Sequence, residues 1–266
     1  VAISRISQFL DSSEVQHNAI RKLPSPKNVG ELSIKVQKGY FSWSGKANSR
    51  IVLKDISLTA RKGDLVCVVG KVGSGKSSLL NSLLGELSKK KGDVLVCGST
   101  AYVPQVPWII NSSIRENILF GRRYDPEFYI EVLSACALVK DFELFAEGDM
   151  TEVGEKGIAL SGGQKARISL ARAVYSMSDN YILDDPLSAV DEHVGRHIMD
   201  KVLGPNGILK SKCKILATNN IRVLGLSNDI HLLKEGRVAE SASYSNIMQS
   251  STISPLRSLL NEYGKQ

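Results

Sequence analysis

The chain has 266 residues, 42% hydrophobic and 23% charged, with a formal net charge of +7. That is long enough to bury a substantial core and fits one globular domain with a smaller lobe. No apolar run approaches the roughly eighteen residues that span a bilayer, so the chain is not expected to cross a membrane by itself. The basic residues are scattered apart from Lys89-Lys90-Lys91 and Lys210-Ser211-Lys212-Cys213-Lys214, and few aromatics lie among them. A solvated or partner-facing surface is expected, and no nucleic acid. Cys67, Cys97, Cys136 and Cys213 lie far apart with no CxxC pair, as free buried thiols in a reducing compartment do. His193 and His197 share a helical spacing but lack a third ligand in range, so no metal site is expected there.

Residues 1–30 differ in character from the rest of the chain. A short helix is expected over 5–10, after which Asp11-Ser12-Ser13-Glu14 and Pro24-Ser25-Pro26 break regular structure. The stretch reads as an extended leader or linker, with Ser12, Ser13 and Ser25 as phosphate acceptors by composition only. The chain starts at Val1 without a secretory pattern and is expected to be an excised or processed piece. Leu32, Ile34 and Val36 alternate with polar neighbours as a half-buried strand does. A turn over 45–48 and a strand over 51–58 complete a small antiparallel sheet. Leu65-Val66-Cys67-Val68-Val69 has the all-apolar pattern of a central strand. A helix is expected over 77–84, and short strands over 94–96 and 101–103. Residues 111–176 read as helix-rich, with apolar residues at helical spacing over 125–138 and 165–175. Further strands are expected over 181–183, 214–217, 230–233 and 237–239, with terminal helices over 244–248 and 255–263. Strands alternating with helices imply an α/β fold with a mainly parallel sheet. An inserted helical subdomain is expected over about 108–176 within a domain of 31–266, with 250–266 leading toward a following linker.

Gly70-Lys71-Val72-Gly73-Ser74-Gly75-Lys76-Ser77 fits GxxxxGK[ST] at every fixed position, between an apolar strand and a helix-forming run. The glycines let backbone N–H groups turn inward around phosphate oxygens, and the helix N-terminus favours the same anion. Lys76 is expected to reach the β- and γ-phosphates and the Ser77 hydroxyl to contact Mg²⁺. Gly70, Val72, Gly73, Ser74, Gly75 and the following Ser78 complete the expected contacts. Tyr181-Ile182-Leu183-Asp184 is an apolar strand ending in a carboxylate, where a P-loop enzyme places its second magnesium contact. Asp184 lies far downstream of Lys76, which an intervening helical lobe explains.

Further motifs resemble those of ATP-binding cassette domains. Leu160-Ser161-Gly162-Gly163-Gln164 matches that family's signature sequence, shortly before the Asp184 strand. Gln105 in Val103-Pro104-Gln105 matches its glutamine loop, which the resemblance makes a sensor of Mg²⁺ or water. Ser188-Ala189-Val190-Asp191 matches the loop after the second strand motif. Thr151-Glu152-Val153-Gly154-Glu155-Lys156-Gly157 resembles the segment before the signature in exporters. Trp43 in Phe41-Ser42-Trp43 sits where the family stacks an aromatic on adenine; read alone, it is equally an edge-strand aromatic packed on its neighbours. The resemblance covers residues 32–241 and implies a RecA-like P-loop NTPase core with ATP and Mg²⁺ as cofactors. It is closer for the first cassette of the multidrug-resistance-associated (C) subfamily, through Asp184-Asp185-Pro186-Leu187-Ser188-Ala189-Val190-Asp191 and the Pro107-Trp108-Ile109-Ile110-Asn111 segment. Val202-Leu203-Gly204-Pro205-Asn206-Gly207 is similar to fungal vacuolar members, which export glutathione conjugates, bile acids, pigments or metal–thiol complexes. The resemblance implies a parent with membrane domains and a second cassette, on the cytosolic face of the fungal vacuolar membrane. Residues 1–30 would then follow a membrane domain, and residues 106–120 would meet membrane helices. Two cassettes would pair head to tail, with residues 160–164 capping nucleotide held by the partner.

Two positions depart from the family pattern, both at the hydrolytic step. Asp185 stands where the family has the Glu that orients the attacking water, about 1–1.5 Å shorter in reach, and displacements of that order lose roughly 10²-fold in rate. Asn219 stands where the family has a His near the γ-phosphate, and an amide cannot carry a proton as imidazole does. The site on this P-loop is therefore expected to hold ATP and hydrolyse it poorly. A soluble cassette ATPase and a cassette of a regulatory channel or receptor subunit are the competing readings. The leader and the exporter-like segment from Thr151 speak against the first, whereas pumping and gating cassettes share the same parts.

Overall fold

The computed structural model describes residues 2–11, 14, 16–46, 48–154, 159–249 and 254–263; Ser12, Ser13, Ala47 and the Glu155-Lys156-Gly157 part of the exporter-like segment lie outside these. Twelve strands form along the described chain: β1 (Arg21–Leu23), β2 (Leu32–Ser42), β3 (Leu53–Arg61), β4 (Leu65–Val69), β5 (Ser88–Cys97), β6 (Thr100–Val103), β7 (Ser112–Ser113), β8 (Glu152–Val153), β9 (Asn180–Asp184), β10 (Cys213–Ala217), β11 (Asp229–Lys234) and β12 (Arg237–Ala242). The helices in chain order begin with α1 (Ala2–Leu10), α2 (Lys76–Leu84), α3 (Ile114–Leu119), α4 (Pro126–Ala135), α5 (Val139–Glu143), α6 (Gly162–Tyr175) and α7 (Glu192–Ile198). Beyond α7 run α8 (Ile221–Leu224), α9 (Tyr244–Gln249) and α10 (Pro255–Tyr263). No helix among the described residues is long and apolar enough to cross a membrane.

The central sheet has six strands in the order β12-β11-β4-β10-β9-β6. All pairs are parallel except β11 with β12. Strands β4, β9 and β10 are buried along their whole length, β4 as an unbroken apolar run and β9 and β10 around the apolar stretches Tyr181 to Leu183 and Ile215 to Ala217. Alternate residues serve opposite faces. Val66, Val68, Ile182 and Ile215 pack with Leu79, Leu80 and Leu83 of α2 and with the second sheet. Leu65, Cys67, Val69, Leu183 and Leu216 pack with the helical region, including Ile118, Val132, Ile168 and Val174. The helical region therefore shares the core of the sheet's other face. All four cysteines are free and buried.

The second sheet, in the order β1-β5-β2-β3, is antiparallel except for β1, which lies parallel to β5. That strand moves the expected boundary of the leader. Ala19 is 2% exposed. Arg21 to Leu23 pair with Leu95 to Cys97, and Lys62 Nζ donates to the carbonyls of Pro26 and Lys27 at 2.9 Å. Three residues are too few to show alternation, whereas the open edge of β5 offers backbone groups that any extended segment can satisfy. Before β1, Gln16 Oε1 accepts from Lys89 N at 2.8 Å, and α1 leaves Ile3, Ile6 and Leu10 exposed. The β7–β8 ribbon, of two residues a side, was equally invisible to periodicity.

Lys214 lies inside β10 at 2% exposure, with its ammonium donating to Leu209 O at 2.9 Å. Burial pulls its pKa from 10.5 down to about 8. Between those values the unfolded chain binds more protons than the folded one, so stability rises with pH across that window. In urea unfolding at a series of pH values, the unaltered chain is expected to gain stability from about pH 8 to 10, and Lys214→Met to lack that gain. Parallel curves would show that burial does not depress this ammonium.

Candidate functional site

Because β4, β10, β9 and β6 are parallel, their C-terminal ends open on one edge of the sheet, where α/β folds bind ligands. Ala217 pairs with Val68 on one side and with Asp184 on the other, and Leu183 pairs with Val103. One edge thus collects the glycine loop after β4, Asp184-Asp185 after β9, Thr218-Asn219 after β10 and Pro104-Gln105 after β6.

The loop after β4 is held by its surroundings. Any Cβ at Gly70 would collide with Leu233 O, and one at Gly75 (φ +106) would stand 3.3 Å from Leu53 Cδ2. Ser74 O accepts from Gly236 N at 3.0 Å, and the buried Ser74 Oγ has no hydrogen-bond partner among the described residues. Gly75 is the N-cap of α2 and supplies no side-chain cap, so the first amides of the helix are free to receive an anion. Val72 at the loop tip is 96% exposed. A cleft of about 770 Å³ runs beside Gly73, Ser74, Gly75 and Ser78, rimmed by Arg50, Lys54, Lys234 and Arg237. With the Glu235 carboxylate also on the rim, the lining keeps a net positive charge, which attracts anions.

Lys76 Nζ donates to Gly70 O at 2.6 Å and to Lys71 O at 3.3 Å. Burial pushes its pKa down, and the carboxylates of Asp185 and Asp184 oppose that shift. Burial raises the pKa of Asp184, against a hydrogen bond from Ser77 and the Lys76 charge. Ser77 and Asp184 are thus hard oxygen donors placed together. Mg²⁺ takes one or two such protein ligands and completes its shell with water and phosphate oxygens, so the pair fits it.

Burial also raises the Asp185 carboxyl, and the neighbouring Asp184 charge adds to the rise. Asp185 has φ +48, a left-handed conformation that short Asp tolerates better than most residues. Its N–H donates to Ala217 O at 2.9 Å, and Ser188 Oγ donates to its carbonyl at 2.9 Å. Thr218 Oγ1 donates to Asp185 Oδ1 at 3.4 Å and accepts from Asn220 N at 3.0 Å. The Asn219 side-chain nitrogen, in the orientation that satisfies its neighbours, faces Gly70 O at 3.1 Å and Thr218 O at 3.3 Å. Thr218 and Gly236 went unremarked in the sequence. Thr218 adjoins a singled-out residue, but Gly236 had no local signal, because its contact with Ser74 exists only after folding.

Gln105 is exposed beyond β6. The segment after it presents Val106, Trp108 and Phe120 to solvent, the last two edge to face at 5.6 Å. Arg172 of α6 lies 4.3 Å from the Trp108 ring and donates to Trp108 O and Asn117 O at 3.2 and 2.7 Å. Trp43 is 55% exposed, two residues beyond Phe41, whose pairing partner Leu53 abuts Gly75. Its ring is therefore not consumed by core packing.

Leu160 is buried, and Ser161 caps α6 in a capping box with Gln164. Gly162 and Gly163 form the first turn, with Ala189 O 3.0 Å from where a Cβ of Gly163 would stand. Gln164 Nε2 donates to Asp141 Oδ1 at 3.0 Å. The signature is thus seated against α5 and the loop after Asp185, separately from the glycine loop.

A parallel sheet whose edge gathers a phosphate loop, a lysine and a magnesium-type carboxylate defines a P-loop nucleotide-binding domain of α/β class. The family described as ABC transporter matches over residues 53–188, and the chain belongs to that family. Over its whole length the chain is 51% identical to Metal resistance protein YCF1 of Saccharomyces cerevisiae and 45% identical to the Vacuolar heme ABC transmembrane exporter abc3 of Schizosaccharomyces pombe. It is 47% identical, over 93% of its length, to ATP-binding cassette sub-family C member 2 of Mus musculus. The chain spans 18% of the length of the two yeast relatives and 16% of the mouse one.

Proposed function

We propose that the chain is the first ATP-binding cassette of a longer C-subfamily exporter, with a holding site on its own P-loop and a signature that completes a turnover site on a second cassette. The observation that carries this reading is a division within one sheet edge. The glycine loop, Lys76, Ser77 and Asp184 gather there as the motif requires, whereas the positions that the family resemblance assigns to the attacking water and γ-phosphate hold the short Asp185, bonded by Thr218, and Asn219, turned to Gly70 O.

The amides of residues 70–75 and of the first turn of α2 wrap the phosphates, and Lys76 spans the β and γ groups. Ser77 and Asp184 would hold Mg²⁺, with Gln105 as a further ligand, and the metal would supply positive charge to neutralise the phosphates. Trp43 stacks on adenine. Asp185 holds the attacking water too far back, and Asn219 donates a hydrogen bond without exchanging a proton. The Ser161 hydroxyl and the amides of Gly162 and Gly163 face the γ-phosphate bound by the partner. The partners are the membrane domains and the second cassette of the parent, on the cytosolic face of a fungal vacuolar membrane; the abc3 relative, described as vacuolar, supports that location. The transported compound is selected outside this chain.

The test is single-turnover hydrolysis in the full-length exporter with the P-loop lysine of the second cassette replaced. Slow hydrolysis with retained ATP is expected; a rate equal to that of the partner site would overturn the holding role. Trp43→Ala is expected to weaken ATP binding roughly 5- to 150-fold, the range of about 1–3 kcal/mol for stacking a base on an aromatic ring. Inorganic triphosphate should bind as before. An equal loss for both ligands, measured by calorimetry, would mean that Trp43 supports the loop and not the base.

A further inference from the structure

The anion-facing start of α6 is held from outside by one carboxylate. Within the capping box, Ser161 Oγ accepts from Gln164 N at 3.2 Å, which leaves the hydroxyl proton of Ser161 to donate outward. Gln164 Oε1 accepts from Ser161 N at 2.9 Å. The other end of that amide donates to Asp141 Oδ1 at 3.0 Å, so the planar group cannot turn over without losing both bonds. One turn further along, Arg167 donates to Asp141 Oδ2 and to Ala137 O, and its Nε donates to Gly163 O at 3.2 Å. The two oxygens of Asp141 therefore reach both flanks of the signature, one through Gln164 to Ser161 and one through Arg167 to Gly163. The Asp141 and Arg167 side chains are each 13% exposed. No residue of α5 is buried and Phe142 is only partly so; Asp141 accepts hydrogen bonds from both Gln164 and Arg167 of α6.

We propose that Asp141 is a positioning residue that, through Gln164 on Ser161 and Arg167 on the Gly163 carbonyl, fixes the first turn of α6 and its Ser161 hydroxyl against the partner's nucleotide, and so sets the turnover rate of the site completed by this signature. The proposal rests on the reading that residues 160–164 cap nucleotide on the second cassette. Asp141 touches no phosphate and acts through Gln164 and Arg167. A displacement of the order of 1 Å at groups that contact the transition state is enough to lower turnover strongly while ground-state binding changes little.

The experiment uses the full-length exporter, at matched protein amounts, with steady-state ATP hydrolysis and nucleotide photolabelling of this chain's own P-loop as readouts. Asp141→Asn keeps the shape but removes the charge facing Arg167. It is expected to lower kcat about tenfold, with KM for ATP changed at most about twofold and own-site labelling unchanged. Asp141→Glu keeps the carboxylate that faces Arg167 and is expected to retain most of the rate. Ser161→Ala is the control. If it leaves kcat unchanged, the reading of the signature fails and the proposal with it. If Ser161→Ala lowers kcat and Asp141→Asn does not, the positioning role alone is overturned. A loss in Asp141→Asn that extends to own-site labelling and is shared equally by Asp141→Glu would make Asp141 a general support of the fold, which also overturns it.

Discussion

Single-turnover hydrolysis on the P-loop of residues 70–77 is expected to rise about 10²-fold when Asp185→Glu and Asn219→His are introduced together. The Asp185 backbone is pinned by its bonds with Ala217 and Ser188, so a longer side chain must extend into the site and cannot be absorbed by a shift of the loop. One added methylene carries the carboxylate about 1–1.5 Å further, past the Thr218 hydroxyl that now engages it, and placement errors of that size account for factors near 10². The left-handed φ of +48 works against Glu by a fraction of the roughly 1–2 kcal/mol that this conformation costs an ordinary residue. An imidazole at 219 can keep one nitrogen on Gly70 O, where the Asn219 amide now points, and turn the other toward the γ-phosphate. Each change alone supplies half of a two-part arrangement and is expected to give a smaller gain. Rapid mixing in the full-length exporter, with the other P-loop lysine replaced, measures the rate. A double variant that binds ATP and shows no acceleration would remove the physical basis for a weak site here.

Gly163→Asp is expected to cut ATP turnover of the intact exporter by about 10²-fold or more while ATP still binds at this chain's own P-loop. Gly163 sits in the first turn of α6, where unpaired amides and the helix field favour an anion. A carboxylate there puts like charge against the partner's phosphates, a juxtaposition worth several kcal/mol, and each 1.36 kcal/mol is tenfold in rate. The new Cβ would also press on Ala189 O at 3.0 Å, in the loop after Asp185. Gly163→Ala carries that contact without the charge and is expected to lose far less. Equal losses in the two variants would assign the effect to sterics. Loss of own-site labelling in Gly163→Asp would place the damage in the fold of this cassette.

Most of this molecule was legible before folding because its chemistry is short-range. The residues around Gly70 and Lys76 declare a phosphate loop through a spacing that one strand–turn–helix unit enforces. Leu65 to Val69 and Tyr181 to Leu183 declare central strands through unbroken apolar runs, and the structure buries all of them. Asp184 could be picked out because it ends an apolar strand, and Asp185 and Asn219 because they depart from the family pattern the chain resembles. Three things escaped. Arg21 to Leu23 joins a sheet through backbone groups alone, which leave no mark on side-chain pattern. Gly236 supports Ser74 from a distant hairpin. Asp141 looks like any helix-surface acid until α5 is laid beside the start of α6.

The sequence by itself determined the class of the protein and the glycine-loop motif of residues 70–77, because those depend on residue identity at fixed local spacing, and the family resemblance singled out the two departures at 185 and 219. Only the tertiary structure decided which groups hold those residues in place: Thr218 on Asp185, Asn219 on Gly70 and Asp141 on both flanks of the signature. Hydrogen bonds between segments far apart in the chain depend on sheet order and helix packing, and no local pattern encodes them.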